Sequence, residues 1–126
     1  MKETAYSLGQ LLYLADILHR EYCVFLRNGG DREKPLPSNL IGNEVLLIAA
    51  ENPNEALARL RERIRIYVNW AKRETQEKSG YAKWAMMKIE EVSTRIGTSL
   101  PERFSKAEQA QVLLGYLGGV SSAKND

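Results

Sequence analysis

Apolar residues recur at three- and four-residue steps along almost the whole chain, which is the period of an amphipathic α-helix. Alternation of the kind that marks a strand is scarce. The sequence therefore predicts an all-α fold, a single-domain bundle of about five helices over residues 1–119, followed by a polar C-terminal tail at 120–126. A chain of 126 residues, 44% of them hydrophobic, is long enough to bury one core of this kind.

The first predicted helix carries one long apolar stripe, which ends before a polar loop. The stripe consists of Leu8, Leu11, Leu12, Ala15, Leu18, Tyr22, Phe25 and Leu26. The loop has the sequence "NGGDREKPLP" (28–37). Ser38 then precedes "NLIGNEVLLIAA" (39–50), a short and very apolar segment that we expect to form a second helix, buried on most sides.

The third predicted helix runs from Pro53 to about Lys78. Asn52, Pro53 and Glu55 match an N-cap, a proline in the first helical position and an acidic residue in the first turn. The three- and four-residue spacing predicts a core-facing stripe made of Leu57, Leu60, Ile64, Tyr67 and Ala71.

Two further helices are predicted in the last third of the chain. "SG" (79–80) separates the third helix from a fourth over 81–96, and "SKAE" (105–108) has the spacing of a capping box that opens a fifth. The fourth is expected to bury Ala82, Met86, Ile89, Val92 and Ile96. The fifth is expected to bury Ala107, Ala110, Leu113, Leu114 and Leu117, and to end at Gly118 and Gly119.

Positive charge is concentrated in one part of the chain. The net charge is only +2, but residues 59–95 contain ten Lys or Arg and five Glu, so the remainder is negative by about three charges. The densest stretch is "RLRERIRIYVNWAKRE" (59–74). Such asymmetry indicates an acidic partner, since the arginine fork donates two bonds to a phosphate and stays charged.

Helical geometry distributes these basic residues over two stripes of the third predicted helix. Arg59, Arg63 and Arg73 are expected opposite the core stripe together with Ile66 and Trp70, while Arg61, Arg65 and Lys72 run along one flank. On the fourth helix Trp84, Lys88 and Arg95 are expected to face outward, with Glu91 between them. One interpretation is a surface that follows a phosphate backbone and stacks bases on its tryptophans. The other is a solvated basic face, with the tryptophans packed under a neighbouring helix.

The residue types needed for catalysis do not form a convincing constellation. His19 and Cys23 are one helical turn apart, and Asp16 precedes them on the same flank. A zinc site needs three or four protein ligands, and the chain has a single histidine and a single cysteine. We therefore interpret these residues as the edge of a core stripe, and predict a non-enzyme with no metal and no cofactor.

Cysteine content and hydropathy indicate the compartment. One cysteine excludes an internal disulfide and favours a reducing, cytoplasmic setting. No run of 18 apolar residues predicts a transmembrane helix, and "MKETAYSLGQ" (1–10) lacks the pattern of a signal peptide.

Both ends of the chain resemble a known family. "YSLGQLLYLADILHREY" (6–22) is similar to the start of the C-terminal helical region of the large subunit of type I-C CRISPR surveillance (Cascade) complexes. "LPERFSKAEQAQVLLGYLGG" (100–119) is similar to the end of that region, with Ser105, Glu108, Gln109, Leu114, Gly115 and Tyr116 forming the shared pattern. "AAENPNEALARLR" (49–61) matches loosely, whereas "PSNLIGNEVLLIAAENP" (37–53) departs from it.

The resemblance implies an all-helical small subunit present in more than one copy. In that family the C-terminal region is also produced from an internal start as a small subunit, and a chain beginning at Met1 would fit such a product. These subunits support the guide RNA–target DNA hybrid and the displaced strand, while base pairing reads the sequence. Two alternatives remain: a helical protein–protein adaptor that docks through Trp70 and Trp84, and, less favoured, a small helix-turn-helix regulator.

Overall fold

A computed structural model of the chain describes residues 2–27, 48–49, 51–74, 80–97 and 100–120. These residues form four long helices and no strand, which confirms the all-α class but not the predicted count of five. The helices are α1 (Lys2–Arg27), α2 (Pro53–Glu74), α3 (Gly80–Ile96) and α4 (Lys106–Gly118). The helix predicted over 39–50 lies outside the described residues except at Ile48 and Ala49, which are helical.

Helix α1 is the centre of the bundle, because α2, α3 and α4 all pack against it. The predicted stripe is buried from Leu8 to Tyr22, whereas the side chains of Phe25 and Leu26 lie outside the description. Burial extends well beyond that stripe, to Leu14 and Ile17 among others. A helix covered on three sides needs apolar residues around most of its circumference, so a single stripe underestimates its buried surface.

Helix α2 begins where its sequence signals place it. The amide of Ala56 donates to the Asn52 carbonyl at 3.0 Å, which closes the first turn behind Pro53. The predicted core stripe is confirmed in full, since Leu57, Leu60, Ile64, Tyr67 and Ala71 are all buried. The helix is described as far as Glu74, and the predicted extension to Lys78 falls outside the described residues.

Helix α3 packs on α1 through the predicted residues Ile89, Val92 and Ile96, with Met86 half-buried beside them. The side chain of Ala82 lies outside the description. Gly97 ends the helix with a φ of 79°, the left-handed conformation that favours glycine after a C-terminus. None of the helices in the described ranges is long and apolar enough to cross a membrane.

The chain after α3 is fixed to the start of α2 by one side-chain amide. Asn54 donates from Nδ2 to the Leu100 carbonyl at 2.8 Å and accepts from the Leu100 amide at 2.8 Å. This pairing copies a backbone ladder and satisfies both groups of Leu100, whose side chain is buried. It positions the segment that carries the buried Phe104 into α4.

Helix α4 opens with the predicted capping box. The Glu108 amide donates to Ser105 Oγ at 3.1 Å, and the Ser105 amide donates to Glu108 Oε1 at 2.8 Å. The predicted inward face, however, is wrong. Val112 and Gly115 are the buried residues of this helix, while exposed positions are occupied by Ala107, Ala110, Leu113, Leu114 and Leu117.

Two glycines explain why α4 turns that face away from α1. A Cβ atom added at Gly115 would overlap the Tyr6 carbonyl oxygen, and one added at Gly9 would overlap the Val112 carbonyl oxygen. The backbones of α1 and α4 therefore meet directly at this crossing, which only glycine permits on both sides. Close backbone contact, and not the larger leucines, determines which side of α4 is buried.

Candidate nucleic-acid interface

The outward side of α2 carries most of the predicted basic site. Arg59, Arg61, Arg65 and Lys72 are exposed, in agreement with their predicted positions away from the core. Arg63 is half-buried, and the side chain of Arg73 lies outside the described residues. Among the described side chains of α2 the acidic residues are Glu55 and Glu62, so the four exposed cations leave this surface with a net positive charge.

Two of these arginines form ion pairs along their own helix. Arg59 Nε is 3.2 Å from Glu55 Oε1, and Arg65 Nη2 is 2.6 Å from Glu62 Oε1. The hydrogen bond to Glu62 raises the pKa of Arg65, which therefore stays charged under all ordinary conditions. Exposed pairs of this kind add little stability because water and salt screen them, so a phosphate can displace the glutamate at little cost.

Arg61 has a second role within the fold. Its Nη2 atom donates to the Gly97 carbonyl oxygen at 2.6 Å, which satisfies an acceptor at the C-terminal end of α3. The contact holds α2 beside the last turn of α3, where Arg95 is exposed. Arg95 thus adds an exposed positive charge near the end of α3 that Arg61 contacts.

Contrary to the prediction, Lys88 and Trp84 do not face outward on α3. The Lys88 side chain is 14% exposed, and its Nζ atom is 3.3 Å from Glu91 Oε2. Trp84 is half-buried and packs against the core. The exposed members of the predicted face are Arg95 and Glu91. Lys88 is consequently a poor candidate for contact with a nucleic acid.

The expectation that Trp70 faces outward is wrong. Its side chain is 4% exposed, and its ring meets the Tyr22 ring edge-on with the centroids 5.3 Å apart. Trp70 is only about 80° around the helix from Leu60 at 100° per residue, and a large indole reaches the core from there. A buried indole cannot stack an unpaired base.

Arg63 also lies closer to the core than its predicted position opposite the core stripe. It is about 60° from Leu60 on the same wheel, and its guanidinium interacts with the hydroxyl of Tyr67. Burial raises the pKa of Tyr67, and the nearby Arg63 charge partly opposes that effect. Of the two predicted basic stripes, the flank of Arg61, Arg65 and Lys72 is therefore the better exposed.

The histidine and cysteine lie within the core region. His19 is buried with its ring 5.6 Å from the Tyr67 ring, and its Nε2 atom is 3.6 Å from Cys23 Sγ. Among the described residues no group of three His, Cys, Asp or Glu side chains is arranged to hold a metal ion. The interpretation of His19 as a core residue agrees with this burial.

Sequence reasoning missed one polar pair that joins the two ends of the chain. The Tyr116 hydroxyl on α4 donates to Asp16 Oδ2 on α1 at 2.5 Å, and Asp16 is buried. That hydrogen bond, followed by burial, raises the pKa of Tyr116 to about 12. No local signal could have found this pair, because its members are 100 residues apart.

Tyr116→Phe is expected to destabilise the fold at neutral pH and to lose that effect in alkali. Removing the donor to a buried carboxylate should cost about 1–2 kcal/mol. Tyrosine in the unfolded chain ionises near pH 10, whereas folded Tyr116 holds its proton to about pH 12. Stability from this group is complete below pH 10 and is lost as pH rises through 12. Urea midpoints of both proteins should therefore converge over that range, and a constant difference would contradict the pairing.

Comparison with protein-family models, with curated proteins and with solved structures finds no match to this chain.

Proposed function

We propose that this chain is the non-catalytic small subunit of a type I CRISPR RNA-guided surveillance complex in the cytoplasm. It binds nucleic-acid backbone and so stabilises the guide RNA–target DNA hybrid and the displaced strand. Its partners are the other subunits of the complex, further copies of itself, and the two nucleic acids. The resemblance of residues 6–22 and 100–119 to the type I-C large subunit supports this family, and the basic surface supports the binding role.

The observation that carries the proposal is the solvent-facing side of α2. Arg61, Arg65 and Lys72 are exposed along one flank and Arg59 is exposed on the neighbouring face, with Glu55 and Glu62 as the acidic residues beside them. The flank of Arg61, Arg65 and Lys72 spans about 16 Å at 1.5 Å per residue, a length that covers several phosphates of one strand. Arg95 adds a further positive charge at the neighbouring end of α3.

The chemistry of this surface suits a phosphate backbone better than bases. The exposed groups are guanidinium and ammonium ions, which bind phosphate without reading sequence, and both tryptophans are at least half-buried. In the proposed complex sequence is read by base pairing, so the subunit needs only backbone contacts. A net charge of +2 gives little affinity in isolation, so the contacts act mainly in the assembled complex.

Removing three charges from α2 tests the binding role. Arg59→Ala/Arg65→Ala/Lys72→Ala spares Arg61, which holds the end of α3. We expect weaker binding to single-stranded and hybrid oligonucleotides of any sequence. The slope of log affinity against log salt should flatten by about one unit for each lost contact. Fluorescence anisotropy measures both, in a salt series that starts at low ionic strength, where the weak binding of the isolated chain is strongest.

The matched control removes three exposed charges elsewhere, with Lys2→Ala/Lys83→Ala/Arg103→Ala. It lowers the net charge equally and should leave the affinity closer to that of the unchanged chain. Equal losses in the two triple variants would reduce the effect to net charge and refute a defined interface. Assignment to a surveillance complex is tested by purification of the tagged chain from its host, where guide RNA and backbone subunits should accompany it.

The second candidate is a helical protein–protein adaptor without direct nucleic-acid contact. One observation favours it: Leu113, Leu114 and Leu117 are exposed on a single helix. Salt separates the two functions, since adaptor contacts through apolar residues persist at salt concentrations that release a phosphate backbone.

A further inference from the structure

Helix α4 has two apolar sides, and the described helices cover only one of them. Val112 and Gly115 seat it on α1, which is the only described helix that it contacts. The opposite side exposes Leu113, Leu114 and Leu117 by 46%, 52% and 69%. Three half-exposed leucines within five residues form an apolar patch of the kind that marks a contact site.

The exposed side has the spacing of a helix-pairing seam. Ala107, Ala110, Leu114 and Leu117 follow each other by three, four and three residues, which is the a/d pattern of a coiled coil. We refer to these four residues as the α4 seam. They lie on the face turned away from α1, and all four are exposed.

The sizes of the seam residues specify a second copy in antiparallel orientation. In that arrangement Ala107 faces the partner's Leu117, and Ala110 faces the partner's Leu114. Each layer of the contact then pairs one small side chain with one large one, and the layers are related by a two-fold axis at the height of Val112. The space between the two helices is therefore filled evenly along the seam. A parallel pair would instead stack alanine on alanine and leucine on leucine, which leaves a void at one end.

The residues beside the seam favour the same pairing. Lys106 is the only charged residue on either flank, and the antiparallel register places it beside the partner's Leu113. Its methylene groups can cover that leucine while the ammonium group stays in water. The other flank holds Gln111 and Gly118, so no like charges meet. A shallow groove lined by Ala49, Phe104, Ala110 and Leu113 leaves room along one edge.

We propose that two copies of this chain associate through the α4 seam as an antiparallel, two-fold symmetric pair. Two helices of about 20 Å give a contact at the small end of the range for specific complexes, so we expect a weak, concentration-dependent pair. This deepens the part of the proposed function that concerns contacts between copies, and it rests on that function only in this respect.

Sedimentation velocity of the isolated chain, without nucleic acid, tests the pairing. The unchanged chain should pass from monomer to dimer with rising concentration. Leu114→Glu/Leu117→Glu should raise the dissociation constant at least about 100-fold, because each substitution acts in both copies. Met87→Glu is the control: Met87 is 64% exposed on α3 and lies off the seam, so its dissociation constant should not change.

Circular dichroism and thermal melting of dilute samples decide whether a second copy or another part of the same chain covers the α4 seam. If a second copy covers the seam, the Leu114→Glu/Leu117→Glu variant should melt as the unchanged monomer does. A lower melting temperature for that dilute variant would assign the leucines to a contact within the chain and overturn the proposal. So would a chain that stays monomeric at all concentrations. Neither result depends on nucleic-acid binding, so the test of the basic surface stands separately.

Orientation is tested with two single-cysteine variants in a Cys23→Ser background. Ala110→Cys and Leu114→Cys chains of different tag size are mixed and oxidised. Antiparallel pairing brings residue 110 of one copy to residue 114 of the other, within the Cα separation that a disulfide allows. The mixed disulfide should therefore predominate. Predominant linkage of Ala110→Cys chains to each other would show a parallel pair and overturn the proposed geometry.

Discussion

Leu60→Asp is expected to leave the chain unfolded at 25 °C. Leu60 is fully buried at the centre of the α2 stripe, between Leu57 and Ile64. The substitution removes a packed side chain and leaves an unpaired carboxylate in its place, at a combined cost of about 5 kcal/mol or more. Since small domains have only about 5–15 kcal/mol of stability, most of it would be lost. Circular dichroism should show reduced helicity and no cooperative melting transition.

Leu113→Asp provides the control, because it makes the same chemical change on another helix. The sequence pattern predicts that Leu113 is buried, and if it were, both substitutions would unfold the chain. Leu113 is instead 46% exposed, so its carboxylate stays in water. We expect a folded variant whose melting temperature stays within a few degrees of the unchanged chain. Unfolding of both variants would restore the sequence-based orientation of α4 and contradict the structure.

Gly115→Ala is expected to produce the second large effect. The added methyl group would overlap the Tyr6 carbonyl oxygen, a backbone atom that cannot rotate away. Helix α4 would have to retreat from α1, which would open the contact around Val112 and lengthen the Tyr116–Asp16 hydrogen bond. A net loss of about 3 kcal/mol remains after the gain of about 1 kcal/mol that alanine brings to a helix. Urea unfolding should show the loss as a lower midpoint.

Gly118→Ala separates the steric effect from helix propensity. Gly118 belongs to the same helix, but a Cβ atom there would meet only the Tyr6 hydroxyl at 3.3 Å, the movable end of a side chain. The substitution should be neutral or slightly stabilising. If Gly115→Ala behaved in the same way, the direct backbone crossing of α1 and α4 would be refuted.

Much of the basic site could be predicted from the sequence. Arg59, Arg61, Arg65 and Lys72 are exposed because each is remote from the α2 stripe, and that stripe follows from local spacing alone. Arg63 and Trp70 were misplaced because they lie at the edge of the stripe. There the size of a side chain and the position of its neighbours decide burial, and helical angle does not.

The sequence by itself determined where two of the described helices begin. The N-terminus of α2 at Pro53 and the capping box at Ser105 and Glu108 were predicted correctly. The core stripe of α2 was predicted as well. These features depend on residues within about four positions of one another, because a helical turn and its cap are closed by bonds of that span.

Only the tertiary structure decided which face of α4 is buried. Apolar residues occur on both of its sides, so the period of the sequence cannot choose between them. The choice is made by Gly9 and Gly115, which let two backbones touch, and by the Tyr116 hydroxyl, which reaches the buried Asp16. These residues come from opposite ends of the chain, and only folding brings them together. Leu113, Leu114 and Leu117 remain exposed because backbone contact at the glycines, together with a buried hydrogen bond, fixes the helix in that rotation.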